Sequence, residues 1–150
     1  MVSEKFTFGM SEDAKRIREE VFVEEQGFQY EFEDKDSKLW TLVLYLDGTP
    51  ISTGRIEPLD PETYQIGRIA VRKAFRHNKV GTYTMKYLMN KILSLGGRIA
   101  VVHAQVDKMG FYESLGFKED RECPRYYEEH VEHSIMKKVL KKSVKPKLKY

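Results

Sequence analysis

Two short stretches of the sequence carry residue types that could bind an anion or move a proton. The first, residues 76–82, is a turn that leads from an apolar strand into an amphipathic helix. The N–H groups that begin a helix have no partner within it and carry a partial positive charge, so they can bind a phosphate. Gly81 has no side chain to hold a ligand away from this backbone. From the residues alone, an ordinary structural turn is the better interpretation, because no P-loop pattern is present.

The second stretch, residues 103–117, reads as the end of a strand, a turn and a short helix. His103 and Gln105 alternate along the strand and therefore share one side of it, near its carboxyl end. Open sheets commonly bind ligands at that end of their strands. Tyr112 lies one turn before Gly116, which ends the helix. A histidine can accept a proton near neutral pH and a tyrosine can donate one, although Tyr112 could equally be a helix residue packed against the sheet.

The apolar pattern of the chain predicts the elements that position these stretches. Seven strands are expected, at residues 5–8, 39–46, 50–56, 64–71, 99–104, from 117 onward and at 131–139. Asp47 and Gly48 predict a two-residue hairpin turn. Helices are expected after Ser11, as a loop or short helix around Phe22, from Val80 to Ile92 and around Phe111. The order predicts an α+β fold: a mixed, mostly antiparallel six- to seven-stranded sheet flanked by about four helices.

Charge and length predict one domain with a tail. The chain has 150 residues, 41% hydrophobic and 33% charged, which is typical of a soluble globular domain. Residues 141–150 contain five lysines and no acid, and without them 21 basic residues face 23 acidic ones. We therefore expect a domain at 1–140 and a mobile basic tail at 141–150. A basic tail on an acidic body argues against a nucleic-acid partner, and the alternative of a basic-tailed nucleic-acid binder rests on the tail alone.

Other classes of protein are disfavoured by single features. One cysteine excludes an internal disulfide framework and fits a reducing cytoplasm, and Cys123 reads as a small buried side chain rather than an acyl-carrying nucleophile. No apolar run approaches the ~20 residues that span a bilayer, so we expect no membrane association. Four histidines are present, but their spacing matches no zinc pattern, so we expect no metal.

The order, spacing and residue types of the two stretches resemble the acyl-CoA core of the GNAT family of N-acetyltransferases. In that family, an Arg or Gln followed by glycines at the third and fifth positions after it holds the CoA pyrophosphate. Arg76 and Gly81 match the first and last of these positions, whereas Lys79 replaces the middle glycine and His77 replaces another common one. A non-glycine at positive φ is strained, so either the loop differs or Lys79 adopts an unstrained conformation.

Two further motifs resemble a bacterial single-domain subgroup of this family. The first is Arg-x-x-Val-Phe-Val-x-Glu-Gln, beginning at Arg18, and the second is His-Ala-Gln at 103–105. Residues 126–133 also resemble the subgroup's ending, Phe-x-Glu-x-Gly-Ile-x-His. There, Tyr126 and His130 stand in place of the phenylalanine and the glycine.

The resemblance implies acetyl-CoA as co-substrate, with the amides and carbonyls of one strand free to pair with its pantetheine arm. The implied cofactor contacts are Ile69, Ala70, Val71, Arg76, His77, Asn78, Lys79, Val80, Gly81, Thr82, Gln105 and Tyr112.

The implied reaction is transfer of the acetyl group to a primary amine, by direct attack in a ternary complex. Tyr112 corresponds to the tyrosine that faces the CoA sulfur. A phenol pKa of ~10 lies above a thiol pKa of ~8.5, so Tyr112 either has a lowered pKa or mainly donates a hydrogen bond. His103 and Glu128 are the candidate bases, and the candidate substrate contacts are Glu25, Gln26 and His133. Structural hydrogen bonds would explain each of these polar residues equally well. The alternative function is a non-catalytic acyl-CoA-binding regulatory module.

The segment from Glu19 to Asp36 contains eight carboxylates and only one lysine. Solvated surface is the simpler explanation of this segment. If the carboxylates face the acceptor side of the site, they favour a cationic small-molecule amine. The oligomeric state stays open, and a homodimer is among the states that the sequence allows.

Overall fold

The structure, a computed structural model, describes residues 1–28 and 32–141. The predicted basic tail lies outside the described residues from position 142 onward. Within the described ranges, no helix combines the length and the apolar character needed to cross a membrane.

The described residues form one sheet with helices on both faces. The strands are β1 (Val2–Phe8), β2 (Trp40–Leu46), β3 (Thr49–Pro58), β4 (Thr63–Val71), β5 (Ile99–Gln105), β6 (Lys118–Glu119), β7 (Tyr126–Glu128) and β8 (Val131–Val139). The helices are α1 (Glu12–Arg18), α2 (Val80–Ser94) and α3 (Met109–Ser114). A π-helical segment, Glu19–Glu25, continues α1, and 3₁₀ turns cover Asp34–Lys38, Lys73–Phe75 and Val106–Lys108.

The strand order is β1-β2-β3-β4-β5-β8-β6, and β7 pairs with β8. Every pair is antiparallel except β4 with β5, which α2 connects. A parallel pair needs a crossover connection of this kind. The prediction of a mixed, mostly antiparallel α+β fold is confirmed.

The core lies on both faces of the sheet. On β2, Leu42 and Leu44 belong to the larger cluster, whereas Val43 between them belongs to a smaller cluster that includes Ala14 and Ile17 of α1. The apolar face that the 3.6-residue period predicts on α2 is buried in the larger cluster, as Val80, Met85, Leu88, Met89 and Ile92. α1 and α2 therefore cover opposite faces. Ser11 caps α1 as predicted, with its side chain accepting from the Ala14 N–H.

Two counts differ from the sequence prediction. The described sheet has eight strands because β7 forms a hairpin with β8, and Glu129 and His130 make its turn at φ of 49° and 68°. Such turns usually contain Gly, Asn or Asp, so Glu129 and His130 do not indicate a hairpin in the sequence. The described chain has three α-helices rather than about four, since the apolar segment around Phe22 is the π-helical continuation of α1.

A buried cluster of ion pairs joins α1, the 34–38 turn and β3. Arg18 and Asp36 are 0% and 2% exposed, and the guanidinium donates to both carboxylate oxygens at 3.0 and 3.2 Å. Arg55 donates to the same carboxylate at 2.7 Å and to Glu33 at 3.0 Å. Burial alone would raise the pKa of Asp36, but hydrogen bonds from Arg18, the Glu33 backbone and Arg55 lower it to about 2. Arg18, which begins the first subgroup motif, therefore has a structural partner in this fold.

Candidate active site

Strands β4 and β5 separate in the middle of the sheet. Their parallel pairing begins with Thr63 opposite Ile99 and ends with Ile66 opposite Val102. Beyond that point β4 stays paired with β3, while β5 stays paired with β8. The separation leaves inner strand edges able to accept an extended, amide-containing ligand.

A bulge in β4 marks the start of the separation. Thr53 pairs with Ala70 and Arg55 pairs with Gly67, so Arg68 and Ile69 together face the single residue Gly54. Arg68 has a φ of 53°, an uncommon conformation for a residue with a side chain. A Cβ at position 54 would lie 2.7 Å from Ile69 Cδ1 and 2.6 Å from Leu88 Cδ1, so any other residue there would force these two side chains to shift. Bulges bend a strand and are common beside active sites.

The opening is a cleft with a volume of about 560 Å³. Its walls come from β4, β5, the π-helical segment with the residues that follow it, the 106–108 turn, α3 and the β7–β8 hairpin. Six predicted site residues line it: Ile69, His103, Gln105, Tyr112, Glu128 and His133. Gln26, a seventh, lies at the edge formed by the π-helical segment. The structure therefore brings together the candidate catalytic residues and two of the three candidate substrate contacts.

Three aromatic rings form a row across β5, β8 and β7. Gln105 pairs with His133, and His133 pairs with Tyr126, so these side chains share one face of the sheet. The Tyr126 ring stacks on His133, with 5.3 Å between the ring centroids and 16° between the planes. Its hydroxyl lies 2.7 Å from His103 Nδ1. His133 Nδ1 donates to the Val131 carbonyl at 2.9 Å. The Nδ1 atom of each histidine is therefore engaged in a hydrogen bond.

The surroundings of His103 favour its neutral form. Burial lowers its pKa from the ordinary value of 6.5; the charge of Glu128 raises the pKa, and that of His133 lowers it. The net shift is downward. A neutral imidazole at pH 7 has a lone pair that can accept a proton from an ammonium group.

The environment of Tyr112 favours a protonated phenol. Its ring makes edge contacts with Phe111 at 5.1 Å and Phe117 at 6.0 Å between centroids. Burial raises the pKa of Tyr112 above its ordinary value of 10.0. Of the two roles that the sequence allowed, donation of a hydrogen bond fits this direction, because a raised pKa opposes complete loss of the proton.

The turn before α2 keeps a left-handed backbone without glycines. His77 has a φ of 70° and Lys79 a φ of 61°. No side chain among the described residues caps α2. The N–H groups of Val80, Gly81 and Thr82, in the first turn, also have no acceptor within the helix and remain available to a ligand. Lys79 therefore does not adopt the unstrained conformation that the sequence allowed, and each left-handed residue costs on the order of 1 kcal/mol. The geometry suits an anion, and Lys79 adds a positive charge beside it.

This turn adjoins the cleft through Gly81. A Cβ built there would lie 3.5 Å from the Phe111 ring and 4.0 Å from Val71 Cγ2. Val71 ends β4, and Phe111 precedes Tyr112 on α3. The helix N-terminus, the free end of β4 and the tyrosine therefore occupy one continuous region, although residues 76–82 are not part of the cleft wall.

Arg76 and Glu25, predicted for opposite ends of the site, contact each other. Both terminal nitrogens of Arg76 donate to the Glu25 carboxylate, one of them at 2.7 Å, and Nε donates to the Val71 carbonyl at 2.9 Å. The pair lowers the pKa of Glu25 and raises that of Arg76. Glu25 does not line the cleft. The Arg76 guanidinium, which the resemblance assigns to a phosphate, therefore binds the Glu25 carboxylate in this structure.

Other carboxylates of the acidic segment also face arginines. Glu20 accepts from Arg72 at 2.8 Å, and Glu33 accepts from Arg68 at 2.7 Å in addition to Arg55. Among the described residues, the acids that line the cleft are instead Glu128 and Glu129 of the β7–β8 hairpin. The described carboxylates of the acidic segment therefore do not supply negative charge inside the cleft.

The sequence profile of the Acetyltransferase (GNAT) family matches residues 7–117. The chain belongs to this family. The match spans β1 to the end of α3, and so covers both stretches from which the site was predicted.

Similarity to individual proteins supports this family assignment. Bacillus subtilis YjcF, named an uncharacterized N-acetyltransferase, is 31% identical over 108 residues, which cover 71% of this chain and 76% of YjcF. A crystal structure from Lactobacillus plantarum superposes with a TM-score of 0.82 at 29% identity, covering 92% of this chain and 99% of that one. A GNAT acetyltransferase of Elizabethkingia anophelis, solved with acetyl-CoA bound, has the same fold with a TM-score of 0.70 at 13% identity, covering 93% and 98%.

Sequence reasoning missed four polar residues of this GNAT site: Arg68, Lys108, Tyr126 and Glu129. Arg68 and Glu129 owe their places to positive-φ backbone, which residues with side chains do not signal. Tyr126 was visible only as a departure from the phenylalanine of the subgroup motif. No group of three or more His, Cys, Asp or Glu in the described ranges is placed to hold a metal ion.

Proposed function

We propose that the protein is an N-acetyltransferase that moves the acetyl group of acetyl-CoA onto a small primary amine by direct attack in a ternary complex. The observation that carries the proposal is the cleft between β4 and β5, where a neutral histidine and a protonated tyrosine face the same space. Family membership supports acyl transfer. The choice of acetyl-CoA and of an amine is our own.

In the proposed complex, the cofactor extends from the α2 N-terminus into the cleft. The N–H groups of Val80, Gly81 and Thr82 hold its pyrophosphate, and the free backbone of 69–71 pairs with the pantetheine arm. Arg76 joins the phosphate site after exchanging Glu25 for a phosphate oxygen. His77, Asn78 and Lys79 form the loop around the anion, and Gln105 lies beside the acyl group.

The proposed reaction gives each polar group one task. His103 accepts a proton from the acceptor ammonium, and Glu128 stabilises the imidazolium that results. The neutral amine attacks the thioester carbonyl, a C–N bond forms, and the C–S bond breaks as the tetrahedral intermediate collapses. As the intermediate collapses, the attached nitrogen passes its remaining extra proton through solvent to the departing thiolate, which accepts a hydrogen bond from Tyr112. The products are the N-acetylamine and the CoA thiol, and His103 then releases its proton to solvent. Positioned backbone amides stabilise the oxyanion.

The acceptor is proposed to be a cationic amine that contacts Gln26 and His133. Its attraction comes from Glu128 and Glu129, because the carboxylates of the earlier acidic segment that contact arginines are already neutralised. Glu25 remains a candidate contact if cofactor binding releases it from Arg76. We also propose the bacterial single-domain subgroup and a cytoplasmic location, on the motifs and the single cysteine.

One observation favours the alternative of a non-catalytic acyl-CoA-binding module. The turn at 76–82 has two strained non-glycine residues, and its arginine is already bound to Glu25. Weak cofactor binding would follow if these features persisted in the complex. The alternative predicts stabilisation by acetyl-CoA without turnover of any amine.

Gly81→Asp is expected to remove most of the stabilisation that acetyl-CoA provides. With acetyl-CoA at ~100 times its Kd, the melting temperature of the wild type should rise on the order of 5–10 °C. A carboxylate at position 81 repels the phosphates, and a ~100-fold loss of affinity leaves less than a quarter of the stabilising free energy. The measurement is a thermal shift with and without acetyl-CoA.

Gly81→Ala is the matched control, because its methyl group meets Phe111 at an ordinary contact distance of 3.5 Å. It should keep most of the shift. Equal shifts in the wild type and the Asp variant would contradict the phosphate site at α2.

A further inference from the structure

Tyr126 connects the two histidines of the cleft without lining the cleft itself. Its hydroxyl lies 2.7 Å from His103 Nδ1, and its ring stacks on His133. The rings of His103 and Tyr126 meet edge to face, with 5.7 Å between centroids. These contacts hold one nitrogen of His103 toward β7 and leave Nε2 to exchange a proton in the cleft.

A neutral imidazole carries its hydrogen on only one of two nitrogens. If Nε2 carries it, the nitrogen that remains for proton transfer is Nδ1, which is already hydrogen-bonded to the Tyr126 hydroxyl. If Nδ1 carries it, the phenol oxygen accepts a hydrogen bond and Nε2 keeps its lone pair. Only the second tautomer keeps the same bond when His103 becomes protonated, because both nitrogens then donate.

We propose that Tyr126 is a positioning residue, which accepts the Nδ1–H of His103 and thereby keeps Nε2 unprotonated toward the acceptor amine. The inference rests on the proposed function, since it takes His103 as the general base. Position 126 is tyrosine in this chain and phenylalanine in the motif that this segment resembles. Substituting phenylalanine here therefore removes only the hydroxyl group.

Several groups around His103, including the Tyr126 hydroxyl, affect the pKa of its imidazole. Glu128 of β7 and His133 of β8 both affect the pKa of His103, in opposite directions. Among the described residues, the other charged or titratable groups of the cleft wall are Arg68, Lys108, Tyr112 and Glu129. Burial and Glu128 raise the pKa of Tyr126, so the phenol stays neutral. A neutral acceptor bonds an imidazolium more strongly than an imidazole, so it raises the pKa of His103 and its loss lowers it.

Tyr126→Phe tests this inference. The ring and its stacking on His133 remain, so the melting temperature and the Kd for acetyl-CoA should stay near the wild-type values. We expect kcat to fall about 10-fold, because part of the His103 population then carries its proton on Nε2. The acidic limb of the kcat/KM profile should move about half to one pH unit lower.

Tyr127→Phe is the matched control, since Tyr127 is the next residue of β7 and its side chain is 71% exposed. It should leave kcat and the pH profile unchanged. In a His103→Gln background, Tyr126→Phe should change kcat no further, because Tyr126 acts through His103. Independent, multiplicative effects of the two substitutions would overturn the inference.

An NMR titration separates failure of this inference from failure of the proposed function. The ¹⁵N shifts of His103 should report the Nδ1–H tautomer in the wild type, and its pKa should fall in Tyr126→Phe, with or without turnover. An Nε2–H tautomer, or an unchanged pKa, would overturn the role of Tyr126 in an active enzyme. Full activity of His103→Gln would instead overturn the proposed base, and with it this inference, while leaving acetyl transfer intact.

Discussion

Tyr112→Phe is expected to lower kcat for acetyl transfer about 10²–10⁴-fold and to leave the Kd for acetyl-CoA nearly unchanged. The substitution deletes the hydroxyl and keeps the ring that contacts Phe111 and Phe117. Because burial raises the pKa of Tyr112, the phenol is protonated throughout the neutral range and can donate to the departing sulfur. The loss should therefore fall on turnover, measured as thiol release at saturating amine.

Tyr87→Phe is the control for this experiment. Tyr87 lies on α2 and packs against the core, away from the cleft wall, so deletion of its hydroxyl should leave kcat unchanged. Wild-type turnover in Tyr112→Phe would mean that the tyrosine only packs and that the thiolate departs without its help.

Asp36→Asn is expected to destabilise the fold by about 3–5 kcal/mol. The carboxylate receives hydrogen bonds from Arg18 and Arg55, which are 0% and 5% exposed, and its neutralisation leaves buried positive charge without adequate compensation. Urea unfolding at pH 7 measures the loss. Asp34→Asn, in the same 3₁₀ turn but exposed, should change stability by less than about 0.5 kcal/mol.

The difference between wild type and Asp36→Asn should depend on pH in one direction. The folded pKa of Asp36, about 2, lies below its ordinary value of 3.8, so its contribution is complete above about pH 4 and is lost as the pH falls toward 2. The two unfolding free energies should therefore converge in acid. A constant difference down to pH 2 would contradict the ion-pair account of this cluster.

The elements with strong apolar periods could be predicted from the sequence. The buried face of α2 and the Asp47-Gly48 hairpin both agree with the structure. These features depend on local side-chain pattern and on turn residues with well-known backbone preferences. The cleft residues His103, Gln105 and Tyr112 follow from them, because they lie at the ends of well-predicted elements.

Features that depend on tertiary contacts or on strained backbone could not be predicted in this way. Nothing in the local sequence indicates that Arg76 contacts Glu25, 51 positions away. The β7 turn at Glu129 and the bulge at Arg68 use positive φ in residues that rarely adopt it. The pairing of Glu33 and Asp36 with arginines likewise emerges only when α1, β3 and the 34–38 turn pack together. For this reason the sequence alone allowed the acidic segment to be either solvated surface or an acceptor surface, and indicated no ion pairs.

Acetyl transfer itself is tested most directly by incubating the full chain with acetyl-CoA and a panel of small amines. The panel should span polyamines, aminoglycoside-like amines, amino acids and neutral monoamines, with thiol release and product mass both recorded. We expect at least one cationic amine to gain a single acetyl group for each CoA thiol released, and this product to be lost in Tyr112→Phe. Stabilisation by acetyl-CoA, with no amine acetylated above the uncatalysed rate, would contradict the enzyme and favour the acyl-CoA-binding module.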